Sequence, residues 1–233
     1  MKVTIQEGIW QSKLAKIFEE ELKINAGEIM QLSSNRKFIN KLGLYGVNNL
    51  EGYLLPDTYF FYKNSSAENV LTKLKNEMDK LFDEKAVNQM DKLGMSKKAI
   101  LTLASIIDGE SNRFDEFRTI AGVYYNRLKK GIKLQADPTI QYLKRDGKRF
   151  NRILYRDLEI DSPYNTYLYA GLPPTPINNP GKEAVLAALY PEENDYLYFV
   201  ADGSGGHTFS KTYNEHQYNV YNYRVWRSTK DTL

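Results

Sequence analysis

One stretch limits what this chain can fold into more than any other: Ser96–Arg118, SKKAILTLASIIDGESNRFDEFR. Ser96 is a good N-cap, and from Ala99 to Ile107 apolar residues recur with helical period. At about 100° per residue, Ala99, Leu103, Ile106 and Glu110 fall on one stripe, while Asp108 points towards the side of Leu101, Ala104 and Ser105. A carboxyl aimed at an apolar surface has its charged form disfavoured and holds its proton near neutrality. A general acid needs that property. Periodicity alone leaves a second reading open, in which Glu110 is the solvated end of an amphipathic helix.

Composition narrows the chemistry that could surround this helix. Cysteine is absent, which excludes disulfides, thiolate metal sites and Cys nucleophiles. His207 and His216 are the two histidines, too few for a His-rich metal site; a Ser–His–Asp triad would have to use one of them. We expect no cofactor and no metal. Net charge is +3 and no Lys/Arg cluster exceeds a few residues; Lys129-Lys130 and Lys144–Arg149 read as solvated faces, so nucleic acid is not an expected partner. No apolar run approaches the roughly 20 residues of a membrane span. The 18 tyrosines, with 10 Phe and 2 Trp, suit either an aromatic core with wet hydroxyls or half-wet clefts that stack on sugar rings.

The pattern along the chain predicts an α+β fold. Val3–Ile5 reads as a strand and Gly8–Leu22 as an amphipathic helix; Ala26–Leu32 and Arg36–Leu42 read as short helices. Residues 1–49 thus form a small helical region, and residues 50–233 the rest. LEGYLLPDTYFFY (50–62) reads as extended segments around a Pro56-Asp57 turn, in which Glu51 or Asp57 faces a cleft. Ser66–Met90 reads as one long helix, Asp115–Lys130 as another ending at Gly131, and Asp137-Pro138 as a helix start. SPYNTYLY, GLPP and PINNPG make a long irregular loop of the kind usually kept for function. Tyr196–Ala201 reads as a strand and Asp202–Phe209, DGSGGHTF, as a glycine turn into a second strand, hence a hairpin, followed by a Tyr-rich terminal helix.

The ordered set LEGYLLPDTY, LASIIDGES, IAGVYYNRL, GIKLQADPTIQY, SPYNTY, GLPPTPINNPG and YLYFVADGSGGHTF resembles the endolytic murein transglycosylases, the YceG-like family, over about residues 46–223. The family's catalytic motif resembles A-S-I-[IV]-E-x-E-[TS], which stands here as Ala104–Ser111, so the resemblance matches the catalytic glutamate to Glu110. Asp108 replaces the motif's first Glu and Gly109 a longer polar residue; with the catalytic role matched to Glu110, the resemblance leaves Asp108 a supporting role, and an essential first acid would instead put activity in doubt.

What the resemblance implies is a lyase acting on peptidoglycan. A protonated Glu110 cuts the MurNAc-β-1,4-GlcNAc bond, then takes the C6 hydroxyl proton as a 1,6-anhydro ring closes. Ordinary glycosidases use two carboxylates; this reaction needs one. The implied cleft places Glu51, Asp57, Gln135, Asp137, Asn165 and Thr166 as hydrogen-bonding groups and Tyr59, Tyr164 and Tyr167 as stacking faces, with structural bracing the open alternative for each. Asn126 and Arg127 brace the site or meet a carboxylate, and His207 is a donor behind it. The resemblance further implies a lysozyme-like helical core with a small antiparallel sheet, and a LysM-like remnant over residues 1–49. It also implies an N-terminal membrane anchor outside this chain, a catalytic part facing the cell wall, and cell-wall synthases as partners. The altered Asp108-Gly109 pair keeps a weakly active peptidoglycan-binding module open as an alternative, and a hydrolytic muramidase is a second.

Overall fold

The computed structural model describes residues 1–145 and 153–230. In chain order the elements are β1 (Lys2–Thr4), α1 (Gln11–Leu22), α2 (Ala26–Ser33), α3 (Arg36–Lys41), β2 (Thr58–Phe60), α4 (Ala67–Asp79), α5 (Glu84–Leu93), α6 (Lys97–Glu110), α7 (Phe117–Lys129), α8 (Asp137–Leu143), α9 (Lys182–Leu189), β3 (Tyr198–Ala201), β4 (His207–Ser210) and α10 (Tyr213–Lys230). Among the described residues, helices joined to two small antiparallel pairs make the α+β class expected. Part of the Lys144–Arg149 cluster, and of the segment before Leu158, lies outside the described residues.

The chain divides into two compact units, residues 1–108 with 174–189, and residues 109–173 with 190–233. Residues 1–49, expected as a separate helical region, share the first unit with residues 50–108. There β1 pairs with β2 in the register Val3↔Tyr59. Val3, Leu14, Phe18, Ile29, Leu50, Leu54, Val70 and Leu74 form one buried cluster. Helix starts follow local chemistry: Asn25, Asn35, Ser66, Asp83 and Ser96 each accept a backbone N–H from the first turn that follows.

Two expectations change in this unit. Ser66–Met90 is two helices, because the chain leaves helix after Asp79 and Asp83 caps a new one. The stripe on α6 is not single-faced: every residue from Ile100 to Ile107 is buried. PINNPG accounts for part of that burial. Ile177 N–H donates to Ser105 Oγ at 3.0 Å and Asn178 Nδ2 to the Ser105 carbonyl at 2.8 Å. Asn179 Oδ1 accepts from Gly52 N–H at 2.9 Å, and its Nδ2 donates to the Ile9 carbonyl at 3.1 Å. This stretch, expected as part of a long irregular loop kept for function, is a buried polar staple that satisfies backbone groups no ladder serves.

In the second unit a 3₁₀ turn (Phe114–Glu116) leads into α7. The β3–β4 hairpin pairs with Ala201 opposite His207, and α10 packs on both its strands. Asn194 and Tyr196 carbonyls receive the Asn126 side chain.

Candidate active site

Glu110 ends α6 and belongs to the second unit. It opens onto a cleft of about 600 Å³ lined by Tyr124, Arg127, Gln135, Asp137, Gln141, Tyr167, Tyr198, Phe199, His207, Tyr213 and His216. Burial pushes the Glu110 carboxyl up to about 8; the Tyr124 hydrogen bond pulls it down, Asp137 raises it and Arg127 lowers it. The negative end of the α6 dipole acts in the same direction as burial. At neutral pH Glu110 therefore carries its proton.

The phenol of Tyr124 donates to Glu110 Oε1 at 2.5 Å. That leaves Oε2 to carry the acidic hydrogen. Tyr124 is fully buried and its ring meets Phe199 edge to face at 6.0 Å. Its own ionisation is pushed well above the usual phenol value, chiefly by burial, so it remains a donor.

One turn further along α7, Arg127 presents its guanidinium to the same cleft. Nε donates to the Leu197 carbonyl at 2.6 Å and Nη1 to the Leu134 carbonyl at 2.9 Å, with the group 5.2 Å over the Tyr198 ring. The side chain fastens the hairpin and the 132–136 loop to α7 while adding positive potential beside Glu110. Gln135 stands in that loop at φ +50°, a left-handed conformation that a non-glycine residue keeps only when its surroundings enforce it. Here the enforcement is its N–H donating to the Thr166 carbonyl at 3.0 Å. Asp137 accepts from the Tyr167 hydroxyl at 2.5 Å.

Of the residues read from the sequence, the structure brings Glu110, Arg127, Gln135, Asp137, Tyr167 and His207 into one cleft. The others have different work. Asn165 is wholly buried; its Nδ2 donates to the Leu158 and Ile160 carbonyls and its Oδ1 accepts Tyr167 N–H. Thr166 is buried too, its Oγ1 accepting Ala136 N–H at 2.9 Å. Both fix the loop that carries Tyr167 rather than meet a ligand. Tyr164 packs on Tyr142 with ring centres 5.1 Å apart, and Asn126 is consumed by carbonyls as described above.

Glu51, Asp57 and Tyr59 belong to the first unit. Glu51 is buried and accepts Gln11 N–H at 2.8 Å and Asn179 Nδ2 at 3.1 Å, capping α1 in place of Trp10. Tyr59 is buried against Phe61, its hydroxyl donating to the Leu55 carbonyl at 2.7 Å. Neither offers a cleft-facing group. Asp57 is exposed and accepts its neighbour Thr58 N–H at 2.6 Å.

Asp108 also belongs to the first unit. Its carboxyl is pushed up to about 7, first by burial and then by Glu7, while a backbone hydrogen bond from Gly181 lowers it. It faces Gly8, where an added Cβ would stand 2.6 Å from Oδ2.

Sequence reasoning missed Tyr124, Tyr198, Gln141 and His216 as cleft residues, and Glu116 behind His207. Tyr124 reads as core because it sits at an apolar helical position. The missed signal is its spacing of three from Arg127 on one helix face. No group of three or more His, Asp or Glu side chains that could hold a metal occurs among the described residues.

Residues 1–222 match the YceG-like family. An endolytic murein transglycosylase of Bacillus subtilis (strain 168) is 37% identical over 228 residues, covering 92% of this chain and 63% of that protein. One from Streptococcus pneumoniae serotype 2 is 33% identical over 177 residues, 73% of this chain and 32% of that protein. The chain thus spans less than two thirds of the length of these relatives. The solved structure of a YceG-like protein from Listeria monocytogenes superposes with a TM-score of 0.82 at 37% identity, over 93% of this chain and 75% of that one. A matched length of this extent places the chain in the YceG-like family.

Proposed function

We propose that this chain carries the catalytic part of an endolytic peptidoglycan lytic transglycosylase, with Glu110 as its acid and base. The observation that supports this most is a carboxyl held protonated in a polar, aromatic cleft beside a phenol donor. Glu110 Oε2 gives its proton to the oxygen between MurNAc and GlcNAc as the C1–O bond breaks. Positive charge develops at C1. The carboxylate left behind, stabilised by Tyr124 and Arg127, takes the proton of the C6 hydroxyl as that oxygen closes on C1. The product is a 1,6-anhydro end, no water is consumed, and Glu110 is returned to its starting state.

Arg127 and Tyr124 hold the charge that appears on Glu110 during the step, which is where preorganised groups lower a barrier. Tyr167, Tyr198 and Tyr213 give the cleft the flat faces that sugar rings stack on. The relatives' names agree with this reaction. A lysozyme-like arrangement of the catalytic helices, an anchor that holds the protein at the membrane, and work beside cell-wall synthases complete the proposal.

Asp137 gives a hydrolytic alternative a physical basis, since it is a second carboxyl in the same cleft. Mass spectrometry of digested glycan strands separates the two. The expected result is 1,6-anhydro-MurNAc ends with the unaltered protein and none with Glu110→Gln. Reducing ends would assign hydrolysis, and tight glycan binding without turnover would assign a binding module.

A further inference from the structure

His207 lines the main cleft and also a second lobe of about 370 Å³. Gly109, Glu110 and Ala201 are the other residues common to both. The two lobes therefore meet at the proposed acid, and His207 stands at that junction. Its ring is held from one side. Nδ1 lies 2.8 Å from Glu116 Oε2, and the backbone N–H of His207 donates to Glu116 Oε1 at 2.9 Å. Phe199 meets the imidazole edge to face at 5.2 Å.

A carboxylate can only accept, so a neutral imidazole bonded to it through Nδ1 must carry its hydrogen there. Nε2 is then a bare acceptor. No described residue bonds to it. The sequence favours the same arrangement: Gly206 leaves room for Glu116, since a Cβ there would stand 2.5 Å from Glu116 Oε1.

We infer that His207 is a substrate-binding residue whose Nε2 accepts a hydrogen bond from a hydroxyl or acetamido N–H of the amino sugar beside the cut, and that Glu116 is the positioning residue that fixes this tautomer. The inference rests on the glycan-cutting reading of Glu110. It reverses the expectation that His207 is a donor behind the site. Each lobe takes sugar on one side of the scissile bond, and His207 contacts the chain where the lobes join.

Two measurements test it. Nitrogen-15 NMR of the imidazole at pH 8 reads the tautomer without any turnover: the expected form is Nδ1–H, with Glu116→Gln moving the population towards Nε2–H. A wild-type ring that is Nε2–H or doubly protonated overturns the inference. Titration of murein oligosaccharides into the Glu110→Gln protein reads the contact itself. Adding His207→Ala is expected to weaken binding about tenfold, with Glu116→Gln and Gly206→Ala each weakening it severalfold and His207→Gln restoring part of the loss. Affinity within twofold after His207→Ala overturns it. Failure of the unaltered protein to cut glycan would instead strike the reading of Glu110, and leaves the tautomer measurement to decide the Glu116–His207 arrangement.

Discussion

Asp108 and Glu110 stand two residues apart on one helix, and both carboxyls are pushed up by burial, to about 7 and about 8. Their neighbours differ. Asp108 has Glu7 and the Gly181 N–H about it, and Glu7 is itself raised by burial and by Glu183 and Asp57. That is a crowd of like charges with little to stabilise an anion. Glu110 has a phenol donor, a guanidinium and open volume in front of it. The first setting makes a carboxyl keep its proton. The second lets it keep the proton and also give it away, because the resulting anion has partners in place. A raised pKa therefore does not pick out a catalytic acid; the groups waiting for its conjugate base do.

The largest effect that can break this contrast is on activity. Glu110→Gln is expected to lower the rate of formation of anhydro ends by about 10³-fold, while Asp108→Asn stays within about threefold of the unaltered protein. Equal losses in product release measured side by side would show that the two carboxyls share the chemistry.

The next effect is on stability and belongs to Asp108. Its folded value of about 7 lies above the ordinary 3.8. The native state thus binds a proton that the unfolded state releases, and stability from this group is full below about pH 4 and lost as pH rises through 7. Asp108→Asn removes the titration, and Asn Oδ1 still accepts the Gly181 N–H. Denaturation midpoints should show the variant gaining at pH 8, by at most about 4 kcal/mol, and little changed near pH 4. A gain that is the same at both values would assign it to packing.

The residues that were legible in the sequence share a physical trait. Glu110 breaks an apolar period, and Arg127, Asp137 and Tyr167 stand in segments that order polar groups around it. Asn165, Thr166 and Glu51 look identical by composition, yet each is turned inward. Irregular backbone must satisfy its N–H and carbonyl groups without a ladder, and buried side chains supply the partners. A string of residues cannot show which way such a side chain turns. Glu116 was hidden for the opposite reason: within RFDEFR it looks like a solvated charge, and only the hairpin fold delivers His207 to it. The break between α4 and α5 was lost because the Leu74, Met78, Leu81 spacing continues through it.

The smallest effect sharpens the contrast most. Tyr124→Phe keeps the ring against Phe199 and deletes the donor to Glu110 Oε1. That bond lowers the Glu110 value from where burial alone would set it. The proposed cleavage needs Glu110 protonated, so the rate is expected to fall as pH rises through about 8. With Tyr124→Phe the alkaline limb moves to higher pH. The rate on the plateau drops by about tenfold, because the anion formed when Glu110 gives up its proton has lost one hydrogen bond. A pH–rate profile of the two proteins reads both changes at once. If the limb does not move to higher pH and the plateau holds, Tyr124 is only packing, and what separates Glu110 from Asp108 must be carried by Arg127 and the open cleft alone.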